Sequence, residues 1–380
     1  MFMKQDLRSV KAWCHIHDDL CPVAPCELPF DQPDAADPAS PSMQVRVAPA
    51  AAAAAPTAPA PLTAINRPPR RLRLHVAGFP CIDWSGMNRQ RRGWCGNTLP
   101  PFCQWLAERM QFDEDCVIGE NTLGFDVETL AEIVKAHGFT CDALQVSPVL
   151  LGEAVERKRL YIIMLRKSRL QWRKTAANDL QASFSALFGN AVLMAPAEKF
   201  RAPPTMVDEY VSGLASSAKL PATTRSGRKW SCFQAMSAAV RDKLTGHERK
   251  RQDMMKEQQY SIPLADTPQK EDDMWISNLA QNPDYMAPCR GTVPALLKAS
   301  RLWLYGKKRL ALGEEHLEVQ GWNLMGTASS GYKSPMRLPQ LTALGQQKLV
   351  ALAGNGMHVH VVGAVVAFML AFTERVETDS

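Results

Sequence analysis

The chain has 380 residues, 46% of them hydrophobic and 22% charged, with a formal net charge of +6. That length buries at least one large core and fits two domains, one large and one small. No signal-peptide core opens the sequence, and its most apolar segment, His360–Phe372, has 13 residues, too few to span a bilayer; both points argue against the secreted and membrane classes. The basic excess fits a polyanion-binding surface and fits equally a plain soluble protein. Ten irregularly spaced cysteines point to a reducing, intracellular setting with free thiols.

In chain order, residues 1–43 form an Asp- and Pro-rich head expected to be poorly ordered. Its "CHIHDDLCPVAPC" holds Cys14, His15, His17, Cys21 and Cys26 without a CxxC pair, so no metal is assigned. Residues 44–70 form a linker around the Ala/Pro run Val47–Leu62. From Arg71 the pattern becomes regular. "RLRLHVAG" reads as a strand and Thr98–Met110 as a helix. "DCVIGEN" (Asp115–Asn121) is an apolar strand. Asp126–Phe139 is a helix, with Val127, Leu130, Ile133 and Val134 on one face and Gly138 as its stop. "TCDALQVS" and Lys158–Arg166 complete the strands. Such alternation predicts α/β architecture with a mixed, mostly parallel sheet covered on both faces over residues 71–175. Residues 176–339 read as a smaller, irregular domain. Residues 340–375 return to helix on either side of Gly354-Asn355 and complete the larger domain.

Ligands of open α/β sheets bind beyond the carboxyl ends of the strands. Three loops approach such ends here, carrying Pro80-Cys81, Glu120-Asn121 and Arg157-Lys158-Arg159. A thiol, a carboxyl group and two guanidiniums therefore converge on one rim. Taken singly, each has an ordinary reading: a buried thiol, a helix cap and a solvated basic face.

Taken in order, these segments resemble the DNA (cytosine-5) methyltransferases. "GFPCIDWS" is similar to that family's Pro-Cys loop and "GENTLGF" to its Glu-Asn-Val motif. "GEAVERKRLYIIML" resembles the Gln-x-Arg-x-Arg motif, and "RLALGEEHLEVQGW" (Arg309–Trp322) a late segment containing Gln-Gly-Phe. "LAGNGMHVHVVGAVVAFML" resembles the closing Gly-Asn motif and its helix. The resemblance runs from Leu72 to about Leu370. It implies a doubly wound, Rossmann-like, S-adenosylmethionine-dependent sheet with a target-recognition-like domain. Cys81 would add as thiolate to C6 of a flipped cytosine. Glu120 would contact N3 and the exocyclic amine, and Arg157 and Arg159 would hold the base and loop. Pro80, Gly354 and Asn355 would border S-adenosylmethionine. Ser85, Asn121, Arg89, Arg91, Arg92, Arg225, Arg228, Lys229 and Gln320 would face DNA. The compartment implied is nuclear or another that holds DNA.

The resemblance has gaps. Neither the family's Phe-x-Gly-x-Gly loop nor its ribose-binding acidic residue is recognisable before Cys81. Ile82 stands where the family has Gln, Thr122 where it has Val, Ala154-Val155 where it has Pro-Gln, and Leu312 where it has Thr. A sheet lacking its first strands would expose an apolar face or edge, which predicts poor solubility or a partner chain covering it. The alternative function is a catalytically silent homologue that binds nucleic acid or another protein. A third reading, an unrelated thiol enzyme using Cys81, lacks a histidine partner, since His75 lies within the strand.

Overall fold

In the computed structural model, residues 11–14, 19–22, 71–86, 88–257, 275–325 and 338–376 are described. Strands β1 (Lys11–Cys14) and β2 (Asp19–Pro22) pair antiparallel within a unit that ends at Pro68. The head thus contains two short paired strands. Cys14 and Cys21 lie on its strands; His15, His17, Cys26 and the Ala/Pro run lie outside the described residues.

The second unit, from Pro69, opens with β3 (Leu74–Gly78), α1 (Leu99–Gln111), β4 (Cys116–Asn121), α2 (Val127–Lys135), β5 (Phe139–Val146) and β6 (Arg159–Arg166). These elements follow the sequence pattern closely. Asp126 caps α2 by accepting from the Thr129 amide at 3.0 Å, and Leu130 and Val134 bury its inner stripe. Every residue of β4 is buried, as a central strand requires.

The four strands lie in the order β3-β4-β6-β5. Only β3 and β4 run parallel, linked by the α1 crossover; β4–β6 and β6–β5 are antiparallel. The expectation of a mostly parallel sheet is corrected here. Between β5 and β6 stands a single 3-10 turn, Pro148–Leu151, with no helix to carry the chain back for a parallel return. β3 is an edge strand, and Leu370 on the outer side of the last helix is half-exposed. β3 thus leaves one edge of this sheet unpaired among the described strands.

The chain continues through β7 (Leu170–Trp172), α3 (Lys174–Ala177), α4 (Leu180–Phe188), α5 (Pro204–Ser217), α6 (Cys232–Ala235) and α7 (Ala238–Lys256). A second sheet follows, built from β8 (Trp275–Asn278), β9 (Cys289–Arg290), β10 (Leu302–Leu304) and β11 (Arg309–Leu310). Its order is β11-β10-β8-β9, antiparallel throughout. Last come α8 (Gly313–Val319), α9 (Leu338–Thr342), α10 (Gln346–Asn355), α11 (Val359–Phe372) and β12 (Thr373–Arg375), which pairs with β7.

Packing ties the middle of the chain to the first sheet. Phe184 of α4 shares a core with Ile118, Ile163 and the inner face of α11, formed by Val361, Val365, Phe368 and Met369. Each such buried side chain contributes about 1.5–3 kcal/mol of transfer free energy. By length and composition Gln346–Phe372 is apolar enough to cross a membrane. It is broken between Asn355 and Val359, however, and α11 packs on the sheet as a core helix. Leu317 and Val319 of α8 share a second core with Leu349 and Ala353 of α10, and Glu315 anchors that region by gripping Arg309 at 2.6 and 2.7 Å.

Gly354 sits where α10 crosses the backbone of residues 297–298. A Cβ there would lie 2.3 Å from the Leu297 carbonyl carbon. The Gly354→Ala substitution is expected to lower unfolding stability by about 1–3 kcal/mol, the range for overpacking. Chemical denaturation checks this, and a neutral result would place an open space at Gly354.

Candidate functional site

The site grows from the carboxyl ends of β3 and β4 and the start of β6. β3 ends in Gly78, after which Phe79 turns into an aromatic cluster. Its ring lies 5.1 Å from Phe102 and 5.4 Å from Phe125, and it occupies the space that Gly119 leaves above β4. Cys81 follows at once, in a turn closed by the Trp84 amide donating to the Cys81 carbonyl at 3.0 Å. Trp84 is buried against Phe125, with ring centroids 4.8 Å apart. Asp83 accepts from the Thr98 amide and hydroxyl at 2.8 and 2.5 Å, bonds that hold its carboxyl below the ordinary value. The thiol is thus presented by a turn fixed on both sides. Cys81 itself is partly exposed, and Pro80 before it is exposed.

Glu120 is buried near the end of β4. Its Oε1 lies 3.1 Å from Arg159 Nε and 3.5 Å from Arg157 Nη2, so Arg159 is the closer partner. The side chains of Arg159 and Arg157 are 19% and 5% exposed, so one guanidinium edges towards solvent and the other is enclosed. Arg157 Nη2 also donates to the Gly356 carbonyl at 3.0 Å, while its Nε and Nη1 have no partner among the described residues. Burial and the adjacent Arg159 charge push Arg157 down from its ordinary value; Glu120, Tyr161 and Cys81 act electrostatically in the other direction. Glu120, Arg157 and Arg159 thus form one ion cluster at the end of β4, and Cys81 stands on the turn that follows the paired strand β3. Tyr161, which sequence reading missed, completes the cluster, its hydroxyl pushed up by burial and by Glu120. Its signal was available: it stands two residues after Arg159, on the same face of the strand.

Asn121 is fully buried, accepts from the Thr122 amide at 2.7 Å, and leaves its Nδ2 without a partner among the described residues. Arg89, Arg91 and Arg92 are exposed on the loop after Trp84, which also carries the partly buried Ser85. Ile82, beside the thiol, is 59% exposed. Arg225, Arg228 and Lys229 are exposed on and beside a turn closed by the Thr224 amide and the Arg228 carbonyl; Lys229 pairs with Asp208 at 2.5 Å. They lie apart in sequence from the strand ends. Gln320 does not face solvent. It is 1% exposed and donates to the Ala353 carbonyl at 2.5 Å, tying α8 to α10.

Of the three residues expected to border S-adenosylmethionine, Gly354 is packed instead against backbone, whereas Pro80 and Asn355 are open to solvent. The open side of Gly354 is filled by residues 297–298, Asn355 is exposed at the end of α10, and Pro80 is exposed.

A second charged cluster, unsuspected from sequence, adjoins the first. Glu153 is buried between Lys199, which is also buried, and His360, its two oxygens shared between them. Burial alone would raise this carboxyl; hydrogen bonding to His360 and the Lys199 charge outweigh it and hold it at about 2.

No protein-family model matches the chain, and no curated protein matches it. Among solved structures it is similar to the S. pombe Dnmt2 methyltransferase (12% identity, TM-score 0.41, covering 79% of this chain and 77% of that one). It is similar also to the Entamoeba histolytica methyltransferase EhMeth (10%, 0.39, 79% and 77%) and to a triple mutant of Spodoptera frugiperda DNMT2 (13%, 0.34, 78% and 79%). Likenesses this distant place no residue, and the site rests on the chain's own geometry.

Truncating Glu120 would leave the enclosed Arg157 without a carboxylate. Glu120→Ala is expected to cost about 3–5 kcal/mol of unfolding free energy, and Arg159→Ala, nearer solvent, less than half of that. Denaturant titration of both variants checks the order; equal costs would contradict it.

Proposed function

We propose that this chain is a DNA cytosine-5 methyltransferase-like protein that takes an extruded cytosine at Cys81, Glu120 and Arg159. The observation that carries the reading is the pair of adjoining strand ends: a thiol on a fixed turn after β3, and on the paired β4 a buried carboxylate held by two guanidiniums of unequal exposure. The partner is DNA, in the nucleus or another intracellular compartment holding DNA, with Arg89, Arg91 and Arg92 taking phosphates. The base must leave the stack, because C6 of a stacked, paired cytosine is out of reach of a protein nucleophile.

The chemistry follows from the residues. The Cys81 thiolate adds to C6, forming an S–C6 bond, and the C5–C6 π electrons move towards C5 and the N3 side of the ring. Glu120 meets the exocyclic amine and N3, where charge changes as sulfur adds. Arg159 faces the O2 side, and Arg157 holds Glu120 from within. C5, now enamine-like, takes a proton from water; loss of the original C5 proton and cleavage of the S–C6 bond regenerate cytosine and thiolate.

This half-reaction has its own signature. The chain should exchange the C5 proton of cytosine in DNA for solvent deuterium without added donor, read by mass spectrometry. Cys81→Ala should abolish exchange, and Glu120→Gln should slow it about a hundredfold or more. Tight DNA binding without exchange would favour the silent-homologue reading, in which the same cluster serves recognition alone.

A further inference from the structure

The basic excess is concentrated in one stretch of the chain. Residues 219–256, from just after α5 to the end of α7, hold ten lysines and arginines against three acids, an excess of seven where the whole chain carries +6. Helix α7 packs Val240, Leu244, His247 and Met254 inward. Two of its cations are neutralised locally: Arg251 pairs with Glu248 at 2.9 Å and Lys256 with Asp253 at 3.9 Å. Lys243 and Lys250 are exposed and make no ion pair with the described residues. They stand two turns apart on one side of the helix, about 10 Å along its axis, with Gly246 and His247 on the turn between them.

A loop crosses the helix at that turn. His247 Nε2 donates to the Gln281 carbonyl at 3.0 Å, and a Cβ at Gly246 would meet Pro283 Cγ at 3.7 Å. The turn that follows is closed by the Tyr285 and Met286 amides, which donate to the Asn282 carbonyl at 3.1 and 2.9 Å. Tyr285 is 80% exposed on it. A single exposed apolar group is ordinary, but this ring is carried by a turn anchored between two exposed lysines that lack counter-ions. Asp284 is the one carboxylate on the loop.

We propose that the Tyr285 turn and the two lysines of α7 form a platform for single-stranded nucleic acid, the tyrosine ring stacking on an unpaired base while Lys243 and Lys250 take phosphates. An acidic peptide would use the ammonium groups and leave the ring idle, whereas a single strand uses both. The platform is separate from the strand-end site, and none of its three residues belongs to the Cys81 reading.

The test is fluorescence anisotropy of a labelled oligothymidylate of about twelve nucleotides with the full chain at increasing salt. This probe contains no cytosine, so the strand-end site adds no cytosine-specific signal. Tyr285→Ala is expected to weaken binding about fivefold or more, and Tyr285→Trp to retain it, because the indole keeps a stacking face. Lys243→Gln combined with Lys250→Gln is expected to lower the slope of log affinity against log salt by about 1.4, the loss of two phosphate contacts on a single strand. Absence of binding at low salt, unchanged affinity in Tyr285→Ala, or an unchanged slope in the lysine double variant overturns the inference. Equally tight binding of polyglutamate, lost in the lysine double variant, would assign the surface to an acidic protein segment and overturns it as well. A chain that binds oligothymidylate through Tyr285 but exchanges no cytosine C5 proton keeps this inference and loses the Cys81 reading.

Discussion

A carboxylate cannot be left alone inside a sheet, and Glu120 is the one at the end of a strand buried along its whole length. Its pairing decides what lies around it. β4 and β6 run antiparallel with Glu120 opposite Tyr161, which puts Arg159, two residues earlier, on the same face of the sheet. Arg157 reaches the same carboxylate from the approach to β6 and uses its remaining reach on the Gly356 carbonyl. The two guanidiniums at the start of β6 and the Arg157–Gly356 contact thus meet at this one charge.

Much of this was legible in the sequence, for local reasons. The apolar runs of β4 and β6, the capped amphipathic pattern of α2 and the Pro-Cys turn are short-range signals, and the resemblance carried over the residues that meet at the strand ends. What was hidden depends on distant partners. Gly354 reads as a ligand-facing glycine until residues 297–298 are found against it. Gln320 reads as a polar recognition residue until its amide is found on Ala353. The direction of β6 was misjudged because alternating helices and strands suggested a crossover, whereas the β5–β6 link holds one 3-10 turn. Glu153 had no sequence signal at all, since Lys199 and His360 come from other parts of the chain.

The geometry divides the chemistry unevenly. The thiol and carboxylate end of the site is built in detail, with a fixed turn, a paired carboxylate and a held arginine. Gly354, by contrast, serves packing against residues 297–298.

The most direct measurement of whether Glu120 reads a cytosine is the binding of duplexes in which one base, opposite an abasic site, is either dC or dU, followed by fluorescence anisotropy. The exocyclic amine of dC donates to a carboxylate, whereas dU offers a carbonyl that repels it. The expected result is binding of dC about tenfold tighter or more, equivalent to about 1.4 kcal/mol, with the preference lost in Glu120→Gln. Equal affinity for dC and dU in the unaltered chain would contradict the central claim.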